Sequence, residues 1–113
     1  MMDSGSPSLI FLVSAGFSLY VNNFSSYDRT YGGLAPFCAV HESDHDIMGA
    51  GHASTSISYA VGLKEAMRSG VGPDGKVVAV IGDGSLTGGV SFEALHHAGG
   101  LELPIVIVVN DNG

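Results

Sequence analysis

Basic side chains are scarce in this chain, where four lysines and arginines stand against eleven acids for a net charge of −7. That balance gives nucleic acid no electrostatic footing, and an anionic ligand would need a metal ion or backbone amides to hold it. Cysteine is nearly absent as well. Cys38 stands alone, so no disulfide can form within the chain, and a reducing compartment follows most simply. A membrane span of ~20 apolar residues is missing too. The apolar stretch from Leu9 to Val21 is too short, and the first basic residue, Arg29, comes too late for the flank of a secretion signal. These shortages lead away from nucleic acid, membrane and export, and toward a cytoplasmic protein. Glycine, by contrast, is abundant at 17 of 113 residues, about twice the usual ~7%. It clusters in loop-like stretches and forms no repeat. The length leaves room for one domain, of a size that buries roughly two thirds of its unfolded surface.

The most informative stretch runs from Lys76 to Gly113. Val77-Val78-Ala79-Val80-Ile81 leads into Gly82-Asp83-Gly84, and Ile105-Val106-Ile107-Val108-Val109 leads into Asn110-Asp111-Asn112. Neither run alternates polar with apolar, the pattern of strands in a parallel sheet covered on both faces. Between them, Phe92, Ala94, Leu95 and Ala98 recur at helical spacing over Val90 to Ala98, and Gly99-Gly100 is expected to stop that helix. A strand–helix–strand crossover brings both motifs to one carboxyl edge, where open α/β sheets bind ligands. Gly82 and Gly84 would allow a tight turn and close approach of a ligand. Asp83, Asp111 and Asn112 offer oxygen donors without histidine or cysteine, which suits a hard cation such as magnesium bridging to phosphates. Either motif alone is an ordinary turn former. The two together, each after an unalternating strand, favour a site.

The spacing of Gly82-Asp83-Gly84, 25 residues, then Asn110-Asp111-Asn112 resembles the signature of thiamine-diphosphate enzymes. With Gly51-His52-Ala53-Ser54-Thr55-Ser56-Ile57-Ser58, Gly82 to Gly89 and Phe92-Glu93-Ala94-Leu95, the chain is similar to the 1-deoxy-D-xylulose-5-phosphate synthase family. Plain transketolases and two-oxoacid dehydrogenases share the cofactor signature but lack the Gly51–Ser58 segment. The likeness covers about Tyr31 to Gly113, a small part of a much longer enzyme.

What the resemblance implies is a three-layer α/β/α thiamine-diphosphate-binding fold with a parallel sheet, here incomplete. It implies an atypical amino-terminal segment over 1–30 and a partial diphosphate-binding domain over 31–113. By resemblance, Gly51, His52, Ala53, Gly84, Ser85 and Asn112 contact thiamine diphosphate, and Asp83 and Asn112 hold Mg2+. The parent reaction condenses pyruvate with glyceraldehyde 3-phosphate, losing carbon dioxide, to feed isoprenoid and thiamine synthesis. It runs in a homodimer, in a bacterial cytoplasm ahead of a plastid. A further metal ligand would fall at position 114. The activating glutamate and part of the substrate pocket belong to later segments, so no catalytic residue is assigned here, and an inactive cofactor-binding fragment is an alternative. Another transketolase-like enzyme is a second.

The rest of the chain supports or competes with that reading. Leu9 to Val21 reads as a buried strand or an ill-ordered end. The histidines the family carries upstream have no counterpart, since the first histidine is His41, which suggests a foreign or misassigned start. Tyr31 to Phe37 reads as a loop. His41-Glu42-Ser43-Asp44-His45 fits the zinc-protease pattern, but Ser43 and Asp44 are poor helix residues and the extended pattern is broken at Met48 and Gly51. A solvated acidic loop is expected instead. A helix is expected over Ser54 to Ser69, capped by Ser54 or Ser56 and closed by Gly70, with Ala53, Ile57, Ala60, Val61 and Met67 as its apolar stripe. Its amino end would seat phosphate oxygens beside His52, which otherwise reads as a structural loop residue. The Ser54-Thr55-Ser56 hydroxyls read as caps and packing, and Gly70 to Gly75 as a surface turn. A dinucleotide-binding module is the rival from another class, with Gly82 and Gly84 on its fingerprint and Asp111 as the ribose acid. Thr87 stands where its third glycine belongs.

Overall fold

The computed structural model describes residues 10–14, 39–42, 44 and 46–111. Cys38, His45, Asn112 and the loop expected at Tyr31–Phe37 lie outside the described residues. Three strands form one sheet in the order β1 (Ile10–Ser14), β2 (Lys76–Gly82), β3 (Ile105–Asn110), and both pairings are parallel. Helix α1 (Ser56–Arg68) lies between β1 and β2 in sequence. The short α2 (Asp83–Leu86) and α3 (Gly89–Gly100) lie between β2 and β3. The two apolar runs are thus neighbouring parallel strands, as their composition implies. Part of the expected amino-terminal strand is real too, because β1 falls within the Leu9–Val21 stretch and pairs from Ile10↔Lys76 to Ser14↔Val80.

The core sits on one face of the sheet. Val77, Ala79 and Ile81 of β2 are buried, and they join Ile57 and Ala60 of α1 and Ala94 of α3 in one cluster. The other face is barer: Val78 and Val80 are half-buried, while Val106 is 57% and Val108 43% exposed. An unalternating run reads as a strand covered twice, yet among the described residues helices cover one face. The topology supplies the reason. The strand order advances in one direction, so two crossovers of the same hand lay α1 and α3 on the same side. A second helical layer requires the order to reverse.

The helix ends depart from expectation in instructive ways. Helix α1 starts at Ser56 after Thr55, and no side chain caps it. Ala53, expected in the apolar stripe, is exposed ahead of the helix, whereas Ile57, Ala60 and Val61 are buried. Gly70 does close α1, with φ +82° and the Gly70 N–H→Met67 O and Val71 N–H→Ala66 O pair of a Schellman motif. Helix α3 includes Gly99 and ends at Gly100, with Leu101 as its C-cap. There Glu102 takes the left-handed position at φ +51°, and Leu103 N–H bonds to Ala98 O. Burial of Leu103 against Ala98 and Val61 supplies the apolar contact that this motif uses, and it offsets the cost of a non-glycine residue there. Phe92, expected on the apolar stripe of α3, is 58% exposed; small Ser91, Ala94 and Ala98 face inward, where α3 packs on α1 and Ala94 and Ala98 join the core clusters.

Two basic side chains fasten the helices. Lys64 donates to Gly75 O at 2.8 Å and holds the Gly70–Gly75 turn. Arg68 donates to Leu101 O at 3.1 Å, meeting a carbonyl that the end of α3 leaves unpaired.

Candidate functional site

The carboxyl edge of the sheet gathers most of the expected residues. Gly82 pairs with Asn110 in the last rung of the β2–β3 ladder. Their backbones are therefore one strand spacing, about 4.8 Å, apart. Asp83 and Asp111 follow directly, and both are exposed at that edge. Asn112, expected as the second metal ligand, lies outside the described residues, so Asp83 is the expected ligand whose place is known. Among the described residues no three His, Cys, Asp or Glu side chains gather as a metal site.

The first motif differs locally from a glycine-dependent turn. Asp83 opens α2, and Gly82 before it has an ordinary extended backbone at φ −74°, ψ 154°. Neither Gly82 nor Gly84 is among the positive-φ glycines, so neither is required by backbone conformation. A Cβ built on either meets nothing within 4 Å. What these two glycines supply is open space at the strand end, into which a ligand's oxygens can come close to the backbone.

The Gly51–Ala53 loop lies just ahead of α1. Gly51, His52 and Ala53 are all exposed, and α1 starts three residues after Ala53, at Ser56. His52 Nδ1 donates to Ala53 O at 2.6 Å, which leaves Nε2 as the ring nitrogen free to face a ligand. Thr55 Oγ1 closes the loop by donating to His52 O at 3.0 Å. Ser54 then crosses to the first motif, its hydroxyl donating to Ser85 O at 2.5 Å. Ser54 or Ser56 was expected to cap α1, and neither does. Instead Ser54 sits at φ +72° with its side chain turned toward α2, so the structure brings together Gly51–Ala53 and Asp83–Ser85 through a bond between their neighbours.

Three residues hold this edge in a bracing role that the sequence did not show. Thr87 Oγ1 donates to Gly84 O at 2.7 Å. Ser91, fully buried, places its hydroxyl 2.7 Å from Leu86 O and 2.6 Å from Gly88 O, where its proton is shared. Gly88 itself is the third. The available signal was a hydroxyl a few residues after a turn, where it competes for backbone carbonyls. Helical periodicity masks it, because a buried serine breaks no apolar stripe of small residues.

Two rival chemistries lose their footing here. No long helix starts at Gly82–Gly84, since α2 has four residues and Thr87 turns the chain into α3. A dinucleotide fingerprint needs a helix start at the pyrophosphate. His41 and Glu42 lie in a 3-10 turn, Val40–Glu42, where a metalloprotease needs an α-helix. No helix of the described residues is long and apolar enough to cross a membrane.

Comparison with known proteins agrees with this geometry. A family model described as 1-deoxy-D-xylulose-5-phosphate synthase matches residues 21–113, starting ten residues earlier than the likeness read from motifs. Among curated relatives, the 1-deoxy-D-xylulose-5-phosphate synthase of Anaeromyxobacter sp. (strain Fw109-5) is 58% identical over 84 residues, covering 74% of this chain and 13% of the relative. That of Chlorobium phaeovibrioides is 53% identical over 85 residues, 75% of this chain and 13% of the relative. The 1-deoxy-D-xylulose-5-phosphate synthase 2 of Geobacter sulfurreducens is 57% identical over 84 residues, 74% of this chain and 13% of the relative. The chain thus spans about an eighth of the length of the relatives it matches.

Proposed function

This chain belongs to the 1-deoxy-D-xylulose-5-phosphate synthase family, and from that premise we propose that its sheet edge seats thiamine diphosphate through Mg2+. The observation that carries the reading is the Gly82↔Asn110 register, which sets the first residues of both motifs side by side at one carboxyl edge. Asp83 and Asn112 hold the metal in this proposal. Gly84, Ser85 and Asn112 meet the diphosphate, and Gly51, His52 and Ala53 line the cofactor from the α1 side. The donor set fits the group: oxygen ligands suit magnesium, and the open space at Gly82 and Gly84 leaves room for phosphate oxygens.

When bound, thiamine diphosphate supplies the carbon–carbon bond chemistry. The residues of this chain bind and orient it, and the acidic edge makes that binding depend on the cation. The condensation of pyruvate with glyceraldehyde 3-phosphate, with decarboxylation, is proposed for the full-length enzyme, as are its homodimer and its cytoplasmic location.

A thermal-shift series tests the reading. A ligand present at a hundred times its Kd adds ~2.7 kcal/mol to the folded state, which for a domain near this size raises Tm by about 10 °C or more. Thiamine diphosphate with Mg2+ should give such a shift at millimolar ligand, either alone far less, and a nicotinamide dinucleotide none. Asp83→Ala should abolish the response with the fold intact, because Asp83 is exposed. A shift that survives chelation, or survives Asp83→Ala, would overturn the assignment.

A further inference from the structure

We propose that Ser54 is a positioning residue, whose hydroxyl clasps the Gly51–Ala53 loop to the Asp83–Gly88 turn and so holds the two halves of the site at a fixed separation. This rests on the binding role proposed above, and it assigns a task to a residue outside the set expected to touch the cofactor.

Three features of the backbone and packing lead to it. First, Ser54 adopts φ +72°. A serine there is disfavoured where glycine would cost nothing, so the conformation alone gives no reason for a side chain. Serine makes sense if its side chain is used. Second, that side chain is used: Ser54 is 7% exposed, and its Oγ donates to Ser85 O, 31 residues away. Third, the opposing residue has made room. Gly88 has an ordinary φ of −70°, so no backbone demand explains the missing side chain. A Cβ at Gly88 would overlap Ser54 Oγ and lie 2.8 Å from Ser54 Cβ. The lack of a side chain at 88 is steric, and what it accommodates is Ser54.

The clasp joins well-braced parts. Ser85 O also accepts Gly88 N–H at 3.3 Å, so the bonded carbonyl belongs to a closed turn. Ser91 holds the same turn from inside through Leu86 O and Gly88 O. On the other side, Thr55 Oγ1 to His52 O fixes the loop that precedes α1. Within the described residues, Ser54–Ser85 is the side-chain hydrogen bond that links these two braced segments. Ser54 follows Gly51–His52–Ala53 directly, and Ser85 follows Asp83–Gly84. A ligand that spans both meets a spacing already set, and less of its binding is lost to ordering loops. With its hydroxyl spent on Ser85 and its surface buried, Ser54 acts through its neighbours and does not touch the ligand.

The test uses the 113-residue chain with Ser54→Gly, Gly88→Ala and the two combined. Glycine accepts φ +72°, so Ser54→Gly should keep the fold and lose only the clasp. Amide hydrogen exchange at Thr87 and Gly88 should quicken at least tenfold in Ser54→Gly while β2 amides keep their rates. Gly88→Ala should disturb the same amides or unfold the chain, and adding Ser54→Gly should relieve that damage, because the overlapping atoms are gone. Ser54→Gly should also weaken binding of thiamine diphosphate with Mg2+ about tenfold with Tm of the free protein within a few degrees. Unchanged exchange at Thr87 and Gly88, fully additive damage in the double variant, or unchanged affinity would overturn the clasp. If the unsubstituted chain fails to bind thiamine diphosphate, the functional reading fails, and the exchange and rescue results still decide the clasp.

Discussion

At the scale of single residues, the two non-glycine residues at positive φ among the described residues have different reasons to be there. Ser54 sits inside the site and its hydroxyl bonds across to α2. Glu102 is exposed at the end of α3, and nothing described requires its carboxylate; its backbone is held there by Leu103 packed on Ala98 and Val61. Glu102→Gly should therefore stabilise the chain by about 0.5–1 kcal/mol, since glycine is at home in that position. Leu103→Ala should cost about 2–3 kcal/mol through the cavity it leaves. Urea titrations would show both, and a destabilising Glu102→Gly would mean the left-handed turn is not the source of strain. Ser91 offers a second residue-scale check. Removing its buried hydroxyl takes the side-chain donor from Leu86 O, while Gly88 O keeps the Ser91 N–H, so Ser91→Ala should lose about 1–3 kcal/mol despite being nearly isosteric.

At the scale of elements, much was legible because burial writes itself into composition. Val77–Ile81 and Ile105–Val109 are apolar and β-branched, and they are the parallel neighbours β2 and β3, each one or two residues longer than the run itself. Helix α1 was legible from Ile57, Ala60 and Val61, and its end from Gly70. The failures occurred where tertiary contact overrides local preference. Gly99 and Gly100 are weak helix residues, yet packing of Ala98 and Leu103 carries α3 through both. The serines before α1 carry a capping signal, but Ser54 has a better partner in Ser85, which no local pattern reveals. Arg68 shows the same principle between helices. Its bond to Leu101 O joins the ends of α1 and α3, in an exposed setting where such bonds contribute little. Arg68→Ala should thus cost no more than about 1 kcal/mol, and a loss several times larger in thermal melts would mean that this tie organises the helix pair.

At the scale of the whole molecule, the sequence could not disclose that, among the described residues, helices cover one face of the sheet. An apolar run records that a strand prefers burial, not which element buries it. The direction of strand order decides that, and here it advances from β1 to β3 without reversal. Val106 and Val108 face the barer side and Val77 the helices, so the two faces should respond unequally. Val106→Lys should change stability by no more than about 0.5 kcal/mol, whereas Val77→Ala should cost about 1–3 kcal/mol. Equal losses in denaturant melts would mean that both faces are packed in solution. The proposed site follows from the same topology, since parallel strands deliver their carboxyl ends, and the motifs attached to them, to one edge.

The central claim, that two motifs far apart in sequence form one metal-dependent site with the Gly51–Ala53 loop, is tested most directly by an amide chemical-shift titration. Thiamine diphosphate is added to the isotope-labelled chain with Mg2+, and again with the metal chelated. The expected result is a set of metal-dependent shifts at Gly51–Ala53, Asp83–Ser85 and Asn110–Asn112, saturating together with one Kd, while amides at the opposite ends of β2 and β3 stay still. Shifts confined to one of the three segments, shifts that saturate separately, or shifts that persist under chelation would contradict it.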